Sequence, residues 1–221
     1  MARCFRVALA ALALSAMASV AGQAWAVTYD ATAEFSVLDG TPNGVWSYGW
    51  MPTDFSSFNA YTKGEEGGIF RQWFTPGMSG DNTPNVSVNK THSEWYGVGP
   101  GQLTIHPGPG NLPSILRFTA PVDGSYDVVG RFFPGDSGTM QVGVRQGGSW
   151  LWQATDQGSF DLDPVLSAGD TLDFAVYGGH GWGNTPLALT ISAPVPEPTT
   201  ALLLGAGLLG LTGLCRRKKR G

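Results

Sequence analysis

Between residues 27 and 193 apolar and polar positions alternate in short runs, broken by Gly, Pro, Asn and Ser. A period of two predicts half-buried strands, and no longer stretch keeps the helical period of about 3.6. The first predicted strand carries Tyr29, Ala31, Ala33 and Phe35 turned inward; Val45–Met51 and Ile69–Phe74 follow. Next come Leu103–His106, Ser114–Thr119 and, after a turn at 120–124, Ser125–Phe133 with Tyr126, Val128 and Gly130 on one face. Met140–Val144, Ser149–Trp152, Phe160–Leu162, Thr171–Tyr177 and Leu187–Ile191 complete the set. About ten strands in one domain predict an all-β fold, a single jelly-roll-like β-sandwich. The first and last strands are expected to be neighbours, because domain termini often lie close together. Residues 52–68 and 75–101 read as long loops, and long loops on a rigid scaffold are where binding residues concentrate.

Both ends of the chain break this pattern. Arg3 and Arg6 precede an apolar run over 7–18, and Ala24-Trp25-Ala26 gives the small-x-small site that signal peptidase reads. Residues 1–26 are therefore expected to be a secretory signal peptide, taken by the Sec translocon and cleaved after Ala26. At the other end Val195, Pro196, Glu197 and Pro198 come first. An uncharged Leu/Gly-rich run at 200–215 and the basic tail Arg216, Arg217, Lys218, Lys219 and Arg220 follow. The apolar run predicts a short transmembrane helix, the chain's only membrane contact. Five positive charges behind it resist translocation and are expected to stay cytoplasmic, leaving the domain outside. The two ends thus agree on topology.

The three-part ending at 194–221, with its motif at 195–198, helix at 200–215 and basic residues at 216–220, resembles the PEP-CTERM sorting signal. That resemblance implies recognition by an exosortase, a membrane-embedded cysteine protease-transpeptidase. It also implies a Gram-negative host that makes exopolysaccharide, with the domain released or transferred to the cell surface.

Removing the ends changes the chemistry of what is left. Cys4 and Cys215 both go, so the domain at 27–193 cannot form a disulfide although an exported compartment would permit one. Of the basic residues only Lys63, Arg71, Lys90, Arg117, Arg131 and Arg145 remain, six against sixteen acidic, a net charge of −10 where the whole chain has −4. Such a surface excludes nucleic acid and anionic lipid as partners, and is compatible with a divalent cation or a neutral glycan.

The segments His106–Gly110, Ile115–Pro121, Asp123–Tyr126 and Leu166–Phe174, with Asn43–Gly49 near the start, resemble a recurring exported bacterial module. Such modules look like galactose-binding-type jelly rolls, whose relatives include carbohydrate-binding modules. The resemblance implies the jelly roll, and a glycan as the ligand class. In that module an Asp-containing loop often precedes the last strand. Here Asn184-Thr185-Pro186-Leu187 has no Asp, which weakens any inherited metal site there.

Candidate chemistry is thin elsewhere. Gly135-Asp136-Ser137-Gly138 is like the nucleophile loop of chymotrypsin-like proteases, but no histidine stands in the matching context, and these residue types favour a turn. No cofactor is required. Glu34 and Asp136 could contribute to a structural Ca²⁺, which prefers oxygen ligands. A glycosidase needs two opposed carboxylates, and Glu65, Glu66, Glu94, Asp161 and Asp163 cannot be paired from sequence. Seven tryptophans lie in the domain, and most are expected to fill the core. Trp46, Tyr48 and Trp50 should share one face of their strand, as should Trp150 and Trp152. Trp95, Tyr96 and Trp182 stand in Gly-rich loops and are the candidate ligand platforms, because sugar rings stack their C–H faces on aromatic rings. The expected protein is therefore a non-catalytic surface or matrix protein associated with extracellular polysaccharide. The alternatives are a purely structural or adhesive protein, and a secreted polysaccharide hydrolase.

Overall fold

The computed structural model describes residues 27–193. The predicted signal peptide, with Ala24 and Ala26, and the tail motif, helix and basic cluster lie outside the described residues. The first strands are β1 (Thr28–Asp30), β2 (Trp46–Trp50), β3 (Asn59–Ala60), β4 (Lys63–Glu66) and β5 (Phe70–Phe74). Next come β6 (Asn85–Asn89), β7 (Leu103–His106), β8 (Ser114–Thr119), β9 (Gly124–Ser125), β10 (Asp127–Phe132) and β11 (Gln141–Gln146). The last are β12 (Ser149–Thr155), β13 (Gly158–Leu162), β14 (Val165–Leu166), β15 (Thr171–Tyr177) and β16 (Thr185–Ser192). One short 3₁₀ turn, Pro109–Asn111, is the only helical element among the described residues.

Two antiparallel sheets face each other. One runs β13-β10-β16-β7-β6-β5-β4, and the other β12-β11-β15-β8-β2-β3. From β7 onward the chain crosses between the sheets at almost every connection, the wrapping of a jelly roll. β16 is the hub of the larger sheet. One edge pairs with β10, while β7 and β1 share the other edge end to end. The first and last strands are neighbours, as expected.

Alternation explains the core. Leu187, Leu189 and Ile191 of β16, Leu103 and Ile105 of β7, and Val86 and Val88 of β6 point inward from one sheet. Trp46 and Tyr48 of β2, Leu116 and Phe118 of β8, and Leu172, Phe174 and Val176 of β15 meet them from the other. Each such side chain contributes about 1.5–3 kcal/mol by leaving water.

The structure departs from the expected elements in four places. There are sixteen strand segments, not about ten, several of only two residues. The first strand stops at Asp30 rather than running to Phe35. Asp30 Oδ1 accepts the N–H groups of Thr32 and Ala33, which turns the chain, yet Phe35 is still buried. The segments 52–68 and 75–101 hold β3, β4 and β6, and β6 is a central strand with every residue buried. Its sequence, Asn-Val-Ser-Val-Asn, offers only two apolar side chains, so the pattern is half silent. Finally, Trp150 and Trp152 do not share a face. β12 slips register at Leu151, pairing Trp152 with Val144 and Trp150 with Arg145. An extra residue in one strand sends its neighbours to opposite sides. Trp152 accordingly packs on the main core, while Trp150 joins Phe55, Phe58 and Tyr177 in a smaller cluster on the outer face of the six-stranded sheet.

Candidate functional site

The outer face of β5, β6 and β7 is polar and nevertheless covered. Register places Gln72, Ser87 and Thr104 in one row and Phe74, Asn85 and His106 in the next. A cavity of about 500 Å³ opens above these rows, within the size range of small-ligand sites. Its floor is Gln72, Asn85, Ser87 and His106. Asn85 is only 7% exposed, and its Nδ2 donates to the Asn82 carbonyl at 3.2 Å. That bond orients the amide and leaves the buried Oδ1 without a partner. His106 Nδ1–H donates to the Pro107 carbonyl at 2.7 Å, so its Nε2 accepts the Gly183 N–H at 3.3 Å. Burial pushes its pKa down from 6.5, partly opposed by the bond to Pro107, and the ring is neutral at pH 7.

Beside the floor, Asp81 Oδ1 accepts the hydroxyls of Ser79, at 2.6 Å, and Thr83, at 2.8 Å. The Thr83 proton is thereby committed, so at the 2.9 Å contact with His180 Nε2 the ring nitrogen donates and Thr83 Oγ1 accepts. Desolvation opposes the charge on Asp81, but the two hydroxyl donors and the nearby His180 outweigh it, and its pKa lies below the usual carboxylate value.

Three loops form the rim. The first, after β6, is organised by Asn89. Its Nδ2 donates to the carbonyls of Ser93 and Val98, and its Oδ1 accepts the N–H and hydroxyl of Thr91. The second, after β10, continues the β10–β16 ladder: Asp136 N–H donates to the Asn184 carbonyl and Gly138 N–H to that of Trp182. The third, before β16, carries Trp182. Glycine makes this stacking possible. A Cβ on Gly97 would strike the Gly135 carbonyl, and one on Gly135 would strike the Asn184 carbonyl oxygen.

Of the three candidate platforms, the structure brings Tyr96 and Trp182 to the same cavity, with Phe70 beside them. Tyr96 is 52% exposed and Trp182 65%. Both have left-handed backbones, at φ 53° and 57°, where an L side chain costs roughly 1–2 kcal/mol. Strain of this kind clusters at functional sites. Trp95 is exposed but does not line the cavity. Its ring lies 6.2 Å from Tyr96, which in turn stacks on Phe70 at 6.5 Å.

The two carboxylates named as candidate contributors to a structural Ca²⁺ lie in different settings. Asp136 lines the cavity. Glu34 accepts the Asp30 N–H and the Trp46 indole N–H, both at 3.0 Å. No group of three or more His, Cys, Asp or Glu suited to a metal occurs among the described residues. Glu65 and Glu66 pair with Lys63 and Lys90. The cavity residues missed in the sequence include Phe70, Gln72, Asp81, Asn85 and His106. The signal available was the Asn-Val-Ser-Val-Asn alternation, of whose polar half Asn85 and Ser87 line the cavity.

Three solved structures are similar to parts of the chain. A family 35 carbohydrate binding module from an environmental isolate has 13% identity, covering 61% of this chain and 97% of that one, at a TM-score of 0.31. One from Clostridium thermocellum has 13% identity over 40% and 76%, at 0.29. Pika GITRL has 17% identity over 37% and 79%, at 0.29. No curated protein matches the chain. Residues 194–219 match the PEP-CTERM protein-sorting motif. Behind an all-β sandwich domain the chain therefore carries a PEP-CTERM sorting signal, which marks it as an exported protein, transiently anchored in the membrane and processed by an exosortase.

Proposed function

We propose that this protein is a non-catalytic glycan-binding component of the cell surface or extracellular matrix. The observation that carries the reading is the pairing of two exposed, strained aromatics, Tyr96 and Trp182, with a buried polar floor in one cavity. Aromatic faces accept the apolar side of a sugar ring, and amide and hydroxyl groups below them meet its hydroxyls. Affinity electrophoresis in gels of matrix polysaccharide tests this. Retardation is expected, and Trp182→Ala should weaken it about tenfold, equivalent to about 1.4 kcal/mol. No retardation by any polymer would sink the reading in favour of a purely structural role. Intact-mass analysis of medium and surface fractions would show whether the mature domain is released or attached.

A hydrolase is the second reading, because Asp81 and Asp136 line the same cavity. Glycoside hydrolysis needs one carboxyl group kept protonated by a raised pKa. Asp81 is shifted the other way, which favours binding over cleavage. Release of reducing ends, abolished by Asp136→Asn, would reverse that preference.

A further inference from the structure

We infer that the sugar held in this cavity carries a protonated amine: the site is one for an amino sugar. The inference rests on the glycan-binding reading and refines its ligand.

The cavity offers acceptors and carboxylates, and its lining holds no permanently charged cation. Asp81 and Asp136 line it, and no Lys or Arg does. Each Asp uses Oδ1 on a local donor, leaving Oδ2 unpartnered among the described residues. Three of the donors around the floor are already engaged within the protein. His106 gives its proton to Pro107, Thr83 gives its proton to Asp81, and the Asn85 amide donates to Asn82. Asn85 lines the cavity with only 7% of its surface exposed, and its buried Oδ1 has no donor among the described residues. A buried unpaired acceptor costs free energy until a ligand N–H or O–H reaches it. An ammonium group meets all of these needs at once. It brings three donors, and charge-assisted bonds to carboxylates are about twice as strong as neutral ones. The π faces of Tyr96, Trp182 and Phe70 attract a cation as well.

The wider domain points the same way. Of its six cations, Lys63, Lys90 and Arg117 are paired with acids and Arg145 is buried. The net charge of −10 at 27–193 repels a uronic-acid polymer and draws in a cationic one.

The full chain, purified in a neutral detergent, is titrated calorimetrically in slightly acidic buffer with four tetrasaccharides. These are a glucosamine tetramer, its N-acetylated form, cellotetraose and tetragalacturonate. The glucosamine tetramer should bind at least about tenfold tighter than the two neutral sugars, and the uronate weakest. Asp136→Asn and Asp81→Asn should each erase that preference while leaving binding of the neutral sugars. Asp163→Asn, a substitution on the exposed surface outside the cavity, should leave the preference intact. Equal affinity for amino and neutral sugars overturns the inference and spares the glycan reading. Binding of none of the four removes both. An Asp163→Asn loss equal to that of Asp136→Asn would assign the preference to the field of the whole domain and overturn the cavity site.

Discussion

Trp182 is where function and folding pull in different directions. Its left-handed backbone, at φ 57°, suits glycine rather than an indole-bearing residue. Trp182→Gly is therefore expected to be more stable than Trp182→Ala by about 1 kcal/mol, since glycine alone escapes the strain. Urea midpoints of the two variants measure this, and both should lose the retardation of the parent. Tyr96 and Trp182 were legible in the sequence because large aromatics between glycines have few neighbours to bury them. Asn85 was not, because an asparagine next to Pro84 reads as a turn. Only the third dimension shows that it lines the same cavity as the two rings.

Among elements, β6 matters most and was least legible. Trp46, Leu116 and Phe174 belong to strands whose apolar residues recur at every second position, and their burial is as expected. β6 has the same geometry, but its outward residues are polar and covered by loops instead of exposed to water. Alternation alone cannot tell a covered polar face from a wet one. Its last residue, Asn89, ties down the loop bearing Tyr96 through both ends of its amide. Asn89→Ala removes four hydrogen bonds, among them one of the two that reach the buried Val98 carbonyl. A loss of about 2–3 kcal/mol is expected, with faster amide exchange over residues 90–98 as the measurement. The slip at Leu151 was invisible for a related reason: it depends on the partner strand, not on β12 itself.

At the scale of the whole molecule, acid should loosen the fold in two separable steps. His106 has a folded pKa below 6.5, so over that interval the unfolded chain binds more protons. Its contribution to stability is complete above about pH 6.5 and is lost as the pH falls through the interval. Asp81, lowered from 3.8, works in the same direction further down: its contribution is present above about 3.8 and lost below. Thermal midpoints should fall on acidification, with His106→Gln flattening the upper step and Asp81→Asn only the lower. Equal slopes in His106→Gln and parent would contradict this.

β16 also sets a timetable. It pairs with β1, β7 and β10, yet it is the last strand of the domain, ending at Ser192, just ahead of the sorting signal at 194–219. Ribosomes deliver the chain from its N-terminus, and strands made early must wait for partners made late. Until Thr185–Ser192 has emerged, β10 and β7 have no common neighbour and β1 has none at all. The larger sheet thus closes only as the sorting signal follows it out.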